Sequence, residues 1–176
     1  MTDELLKSMP EFGSIGDADL REKTITVWLE AMREAGWTFG DLEKMPFTLL
    51  ISGTPVNLVA HTLAVTRTAR AIADELVKAY PGRLSVDRDI LLSGALLHDV
   101  GKMFEYARQG ERFVKSGSGE LLRHPVSGAA FAYKHGLPEG VVHIIAAHSK
   151  EGDGLRRTVE AVIVNHADFV NFDALK

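Results

Sequence analysis

Apolar residues recur along most of this chain at the three- and four-residue spacing of helices that bury one face. Residues 57–80 show it best. Leu58, His61, Val65, Thr68, Ile72 and Leu76 form one stripe, Asn57 is placed to cap its start, and Pro81-Gly82 ends it. His61 lies on this stripe and therefore points with the core face. Residues 17–35 put Leu20, Ile25, Val27, Trp28, Leu29 and Met32 in another helix, with Gly36 as its stop. The run 90–97 is apolar almost throughout and reads as a buried helix from about 87 to 98–99, broken by Gly101. Further helices are expected over 125–134, 138–148 and 157–172, the first two beginning at a proline, as helices often do.

The intervening segments lack a period. Residues 1–16 are poorly patterned, and 37–55, with two prolines and two glycines, read as connecting structure. Residues 103–123 contain Gln109-Gly110 and Ser116-Gly117-Ser118-Gly119. A connection of that length in a compact domain is often a lid or binding loop. A small hairpin over 105–114, turning at Gln109-Gly110, also fits. No run of alternating β-branched residues suggests a larger sheet. The expected fold is all-α: a single-domain helical bundle over 57–176, preceded by a helical extension over 1–56.

The chain has 176 residues, 45% of them hydrophobic, enough for one substantial core. Its net charge of −4 provides no basic field for long nucleic acid, although a local cluster could still hold a small phosphate ester. Cysteine is absent, so any metal must be held by nitrogen and oxygen. The start, Met1-Thr2-Asp3-Glu4, lacks the charged and apolar regions of a signal peptide, and no apolar run is long enough to cross a bilayer. A cytoplasmic protein with no membrane partner is expected.

The densest chemistry is His98-Asp99-Val100-Gly101-Lys102, at the end of the buried run. A buried carboxylate needs a cation or several donors, and an imidazole beside it suits a divalent transition metal. His61, His98, Asp99, His124, His148 and Asp168 lie on or near the inward sides of their helices, so four or more helices could bring ligands to one central point. The remaining histidines fit less well. His143 is rotated about 140° from His148 on a helical wheel, His166 is only two residues from Asp168, and His135 sits at a helix end expected to be exposed. Trp28 and Trp37 read as packing residues, and Arg67 and Arg70 as a solvated face.

The order of a helical His, then His-Asp, then a distal Asp resembles the HD superfamily of metal-dependent phosphohydrolases, with 98–102 matching its HD-x-G-K form. The resemblance implies His61, His98, Asp99 and Asp168 as the four core ligands. The two further histidines, His124 and His148, are similar to those of binuclear branches, among them the HD-GYP phosphodiesterases and the HD-type di-iron oxygenases. In those branches the HD aspartate bridges two metals, a role that would fall to Asp99. The chain departs from HD-GYP in having Ala147-His148 in place of paired histidines and no Gly-Tyr-Pro after Gly154, which weakens the case for a cyclic dinucleotide substrate.

The resemblance implies one or two divalent ions (Fe, Mn, Co, Ni or Zn) and hydrolysis of a nucleotide or other small phosphate ester or diester by metal-activated water. Asp99 and Lys102 are the candidate catalytic residues. Lys102, Arg123, Lys150, Glu151 and Arg156 are candidates for substrate binding, with Arg157 beside them. Two alternatives stay open. One is a di-iron oxygenase cleaving a C–C or C–P bond, with Tyr106 as a candidate gate. The other is a non-catalytic nucleotide-binding sensor. The partner expected is a small phosphorylated molecule. The 17–35 helix either covers the domain or forms a homodimer contact.

Overall fold

A computed structural model describes residues 2–176; Met1, the first residue of the expected extension, lies outside the described residues. Helices α1 (Thr2–Ser8), α2 (Ala18–Ala35), α3 (Phe39–Leu42), α4 (Leu58–Ala79), α5 (Arg88–Leu97) and α6 (Lys102–Glu105) precede a single hairpin, β1 (Tyr106–Gln109) and β2 (Arg112–Lys115). Helices α7 (Gly117–Leu121), α8 (His124–Lys134), α9 (Glu139–Ala147) and α10 (Val159–Asp173) complete the chain. The fold is all-α apart from the hairpin, which turns at Gly110 (φ 62°) and pairs Gln109 with Arg112. No described helix is long and apolar enough to cross a membrane.

The central helices start where the sequence offers a cap. Asn57 accepts a hydrogen bond from the Ala60 amide (2.8 Å), and Asp87 accepts from the amides of Asp89 and Ile90. Helix α4 buries Leu58, His61 and Val65 as expected. Further along, Ala69 and Ala73 carry the buried line and Ile72 and Leu76 flank it, so small residues let neighbouring helices approach. Helix α5 packs between α4 and α9, and residues 91–100 are all buried.

Gly101 does not break the chain in the way its residue type suggests. Its φ and ψ are helical (−64° and −15°), and the backbone passes through short turns at 98–101 into α6. Space is what demands glycine here. A Cβ would lie 2.0 Å from the His124 carbonyl oxygen and 2.7 Å from the Gly128 nitrogen. The turn after Asp99 is thus in direct backbone contact with α8.

Residues 2–16 are also more regular than their pattern suggests. Leu5, Met9, Phe12 and Ile15 are fully buried, two of them in the short elements α1 and a 3₁₀ turn over Pro10–Ser14. Pro10 divides the segment, so no single helical window shows the period. These residues join a core with Val27 and Trp28 of α2 and with Leu92, Leu96 and Val100. Helix α2 buries six side chains within this chain, and Trp28 donates its indole N–H to the Leu96 carbonyl (2.8 Å). Trp37 likewise donates to the Met103 carbonyl. Both tryptophans are packing residues.

Residues 103–123 contain most of α6, the hairpin expected about Gln109-Gly110, and α7. The expected connection over 37–55 includes α3, whose Thr38 and Asp41 form a reciprocal capping box. A bridge between Pro46 and Asn57 then closes a loop beside the α4 start.

Candidate metal centre and its cavity

Six side chains meet at one point because each leaves the end or inner face of a helix. His61 is in the first turn of α4, His98 and Asp99 follow α5, His124 opens α8, His148 follows α9, and Asp168 is on α10. Asp99 sits between them. Its Oδ2 lies 3.6 Å from His61 Nε2 and 3.3 Å from His98 Nε2, and its Oδ1 lies 3.2 Å from His124 Nε2 and 3.7 Å from His148 Nε2. Asp168 Oδ1 stands 3.0 Å from His61 Nε2 and 3.9 Å from His98 Nε2. Within each of the sets His61–His98–Asp99 and Asp99–His124–His148, one donor atom per residue lies within 4.8 Å of the others. One carboxylate is thus shared by two imidazole pairs.

The hydrogen bonds on the far sides of the rings assign the tautomers. His98 Nδ1 donates to the Ala95 carbonyl (2.7 Å), His148 Nδ1 to the Ile145 carbonyl (2.8 Å) and His124 Nδ1 to Glu105 Oε2 (2.8 Å). A neutral imidazole has one N–H. In all three rings the Nε2 lone pair is therefore left facing Asp99. His124 Nε2 and His148 Nε2 also face each other at 3.3 Å, and His98 Nε2 is buried with no hydrogen-bond partner. Lone pairs aimed at a buried carboxylate repel it unless a cation lies between, and a neutral-imidazole and carboxylate donor set fits a divalent transition ion.

A proton is the other way to relieve the contact. Burial opposes it everywhere. At His124 burial wins over Glu105 and holds the pKa to about 4. Burial lowers His61 as well, against its bond to Asp168. At His98 burial is the largest single influence and lowers the pKa, but Asp99, Asp168 and the Ala95 carbonyl together raise it. One proton cannot satisfy several lone pairs. Burial also pushes Asp99 upward, but the Lys102 ammonium and His98 hold it well below the usual carboxylate range. Asp168, half-buried, is pushed upward by partial burial but bonded to His61, and it falls to about 2.

Glu105 is the residue that sequence reading missed. It is buried, and its Oε2 accepts from both the His124 amide (2.6 Å) and His124 Nδ1. It fixes the ring that faces Asp99. A buried acid one turn after Lys102, with His124 expected nearby, was the available signal.

The donors open into a cavity of about 520 Å³. Lys102, Arg123, Lys150 and Glu151 line it, as do Lys115 and Lys176. Lys102 is turned inward. Its ammonium lies 2.6 Å from Asp99 Oδ2 and also donates to the Phe47 carbonyl. Arg123 reaches Glu105 (3.1 Å) and Glu151 (3.0 Å).

Arg156 is not brought to the site; it is exposed and lies outside the cavity lining, because the chain turns away at 153–157. Arg157 braces that turn by donating to the carbonyls of Ala147 and Ser149 and to Asp153. His143 accepts from the Thr158 amide, and His166 is exposed. His135 is half-buried rather than exposed, its ring 4.4 Å from that of Phe131.

Comparison with known proteins places the chain among phosphodiester-cleaving relatives by sequence. Dihydroneopterin 2′,3′-cyclic phosphate phosphodiesterase of Methanocaldococcus jannaschii is 35% identical over 113 residues, covering 64% of this chain and 45% of that protein. Ribonuclease Y of Acidothermus cellulolyticus is 31% identical over 115 residues (65% of this chain, 19% of the relative). Ribonuclease Y of Rubrobacter xylanophilus is 34% identical over 138 residues (78% and 23%). The chain thus spans less than half the length of these relatives. No solved structure matches it. The HD domain matches residues 58–171, the stretch from the start of α4 into the last turn of α10 that carries all six converging side chains, and the chain belongs to the HD domain family.

Proposed function

We propose that this chain is a metal-dependent phosphohydrolase cleaving a small phosphate diester or monoester. The supporting observation is the set of imidazole lone pairs turned onto the two oxygens of one buried carboxylate at a cavity floor, with cations on the walls. The phosphodiesterase name of a 35% identical relative favours a diester. His61, His98, Asp99 and Asp168 would hold one ion, and Asp99, His124 and His148 a second. A bound divalent ion would lower the pKa of its water toward ~7 and polarise a phosphoryl oxygen.

The chain's own residues do the rest. Lys102 fixes Asp99 through its ammonium and keeps that carboxylate ionised. Glu105 holds His124 in the tautomer whose Nε2 faces inward. Arg123 and Lys150 offer positive charge to a phosphoryl group whose equatorial oxygens gain charge as the ester bond breaks. Glu151 orients Arg123 from its other side.

The test is to load purified protein with Mn, Fe, Co, Ni or Zn, measure bound metal, and assay a panel of cyclic and linear phosphate esters in air and under nitrogen. The expected result is up to two ions per chain and phosphoester cleavage indifferent to oxygen, with both lost in Asp99→Ala. Full metal content and activity in Asp99→Ala would overturn the assignment, and activity that requires oxygen would move it to the di-iron chemistry.

A further inference from the structure

The two halves of the donor cluster are held together differently. On one side of Asp99, His61 Nε2 and Asp168 Oδ1 bond each other directly at 3.0 Å. On the other side, His124 Nε2 and His148 Nε2 stand 3.3 Å apart with both lone pairs turned inward. Those two atoms repel, so their helices must be held at that spacing from outside the cluster.

A chain of charged side chains around the rim does this. Glu105 spends Oε2 on the His124 amide and ring, and its Oε1 lies 3.1 Å from Arg123 Nη1. Arg123 Nε donates to Glu151 Oε1 (3.0 Å), and Glu151 Oε2 accepts from the hydroxyl of Ser149 (2.5 Å), the residue after His148. The path thus runs from the ring of one imidazole to the neighbour of the other. Arg123 is its middle link, because a planar guanidinium presents donors on separate edges and can serve two carboxylates at once. Both ends of the path are pressed into place. A Cβ on Gly119 would lie 2.3 Å from the Glu105 carbonyl oxygen, and one on Gly152 would lie 2.5 Å from Ala147 Cα, next to His148.

Resting on the hydrolase reading above, we infer that Arg123 and Glu151 are positioning residues that set the spacing of His124 and His148 for the second ion. This role is separate from any contact with a phosphoryl group. The Arg123 side chain is 43% exposed and that of Glu151 31%. Ion pairs this open to water add little to folding stability, so what they fix is geometry. Charge gives the inference a distinctive sign. An arginine near a cation site repels the cation, so its removal should by charge alone tighten metal binding. Loss of the positioning link loosens it.

The experiment strips the chain of metal and titrates it with Mn(II), read by chelator competition and by electron paramagnetic resonance. Parent, Arg123→Gln, Arg123→Lys, Glu151→Gln and the Arg123→Gln/Glu151→Gln double variant are compared, each with a thermal melt. Turnover is not the readout, because Arg123 also faces the phosphoryl group. The parent is expected to take two ions that couple magnetically. Arg123→Gln should weaken the second ion about tenfold or more and leave the first, so that the six-line signal of an isolated ion appears, with Tm within about 4 °C of the parent. Arg123→Lys keeps the charge without the fork and should weaken the second ion too. The double variant should lose less than the two single losses combined, since both act through one link. Second-ion binding in Arg123→Gln as tight as the parent's, or tighter, overturns the inference and leaves the hydrolase reading standing, as does equal weakening of both ions. A parent that binds one ion overturns the inference and keeps a one-metal hydrolase; a parent that binds none overturns both.

Discussion

Replacing Gly101 by alanine adds one methyl group where two backbones touch. The new carbon would lie 2.0 Å from the His124 carbonyl oxygen and 2.8 Å from its carbonyl carbon, and neither atom is a flexible side-chain tip. Real contacts of this kind are not found under 3.0 Å, so the Asp99 turn and the start of α8 must separate by about 1 Å. Overpacking of this sort costs roughly 1–3 kcal/mol, and at this chain length each kcal/mol lowers Tm by about 2–4 °C. The same displacement carries His124 Nε2 away from Asp99 Oδ1, now 3.2 Å apart, whereas His61, His98 and Asp168 are not attached to α8. Gly101→Ala is therefore expected to melt several degrees lower and to lose one class of bound metal before the other. Thermal melts by circular dichroism and metal titration of the folded variant read the two effects separately. An unchanged Tm with full metal loading would refute the claim that backbone contact dictates this glycine.

Three further outcomes are expected. Glu105→Ala leaves the His124 amide and Nδ1 buried without an acceptor, and should weaken metal affinity 10- to 100-fold, as read by chelator competition, with Glu105→Gln falling between. Trp28→Phe removes a buried hydrogen bond to the Leu96 carbonyl and should cost about 1–3 kcal/mol in denaturant unfolding, leaving metal binding intact. Asp41, held by the Thr38 amide and hydroxyl and by Arg108, has its pKa lowered from 3.8 to about 2. A depressed carboxylate stabilises the fold above its unfolded pKa and loses that contribution as pH falls through the folded value. The Tm difference between parent and Asp41→Asn should therefore be largest above pH 4 and close between pH 4 and 2; a difference independent of pH would refute the pairing.

Much of the fold and the convergence of the donors was legible because α4, α5 and α8–α10 carry strong patterns and clear starts. His61 sat on an apolar stripe, and the His98-Asp99 pair ended an apolar run, so their inward direction followed from helical geometry. The N-terminal packing was not legible, because Leu5, Met9, Phe12 and Ile15 fall on two short elements divided by Pro10, and their partners are about 80 residues away in the chain. Glu105 was missed for a related reason. Its partner, His124, lies 19 residues on, across the hairpin and α7, and no local period reports such a contact. Lys102 read as a cation offered to substrate, yet its short reach to Asp99 and Phe47 directs it inward. Arg156 is close in sequence to His148, but the turn braced by Arg157 carries it away.

The loop at the cavity mouth is fastened in an unusual way. The Asn57 side chain ties it to the Glu43 carbonyl, the Leu58 amide to the Met45 carbonyl, and the Lys102 ammonium pins the Phe47 carbonyl to the same carboxylate that organises the donors. Its anchors belong to the same hydrogen-bonded frame as the floor, while its tip, from Leu49 to Thr54, is held mainly by its own short turns. Mutation can therefore reshape the tip, and with it the mouth of the cavity, without disturbing the atoms below. A single scaffold of this design can diversify in what it accepts while keeping one chemistry.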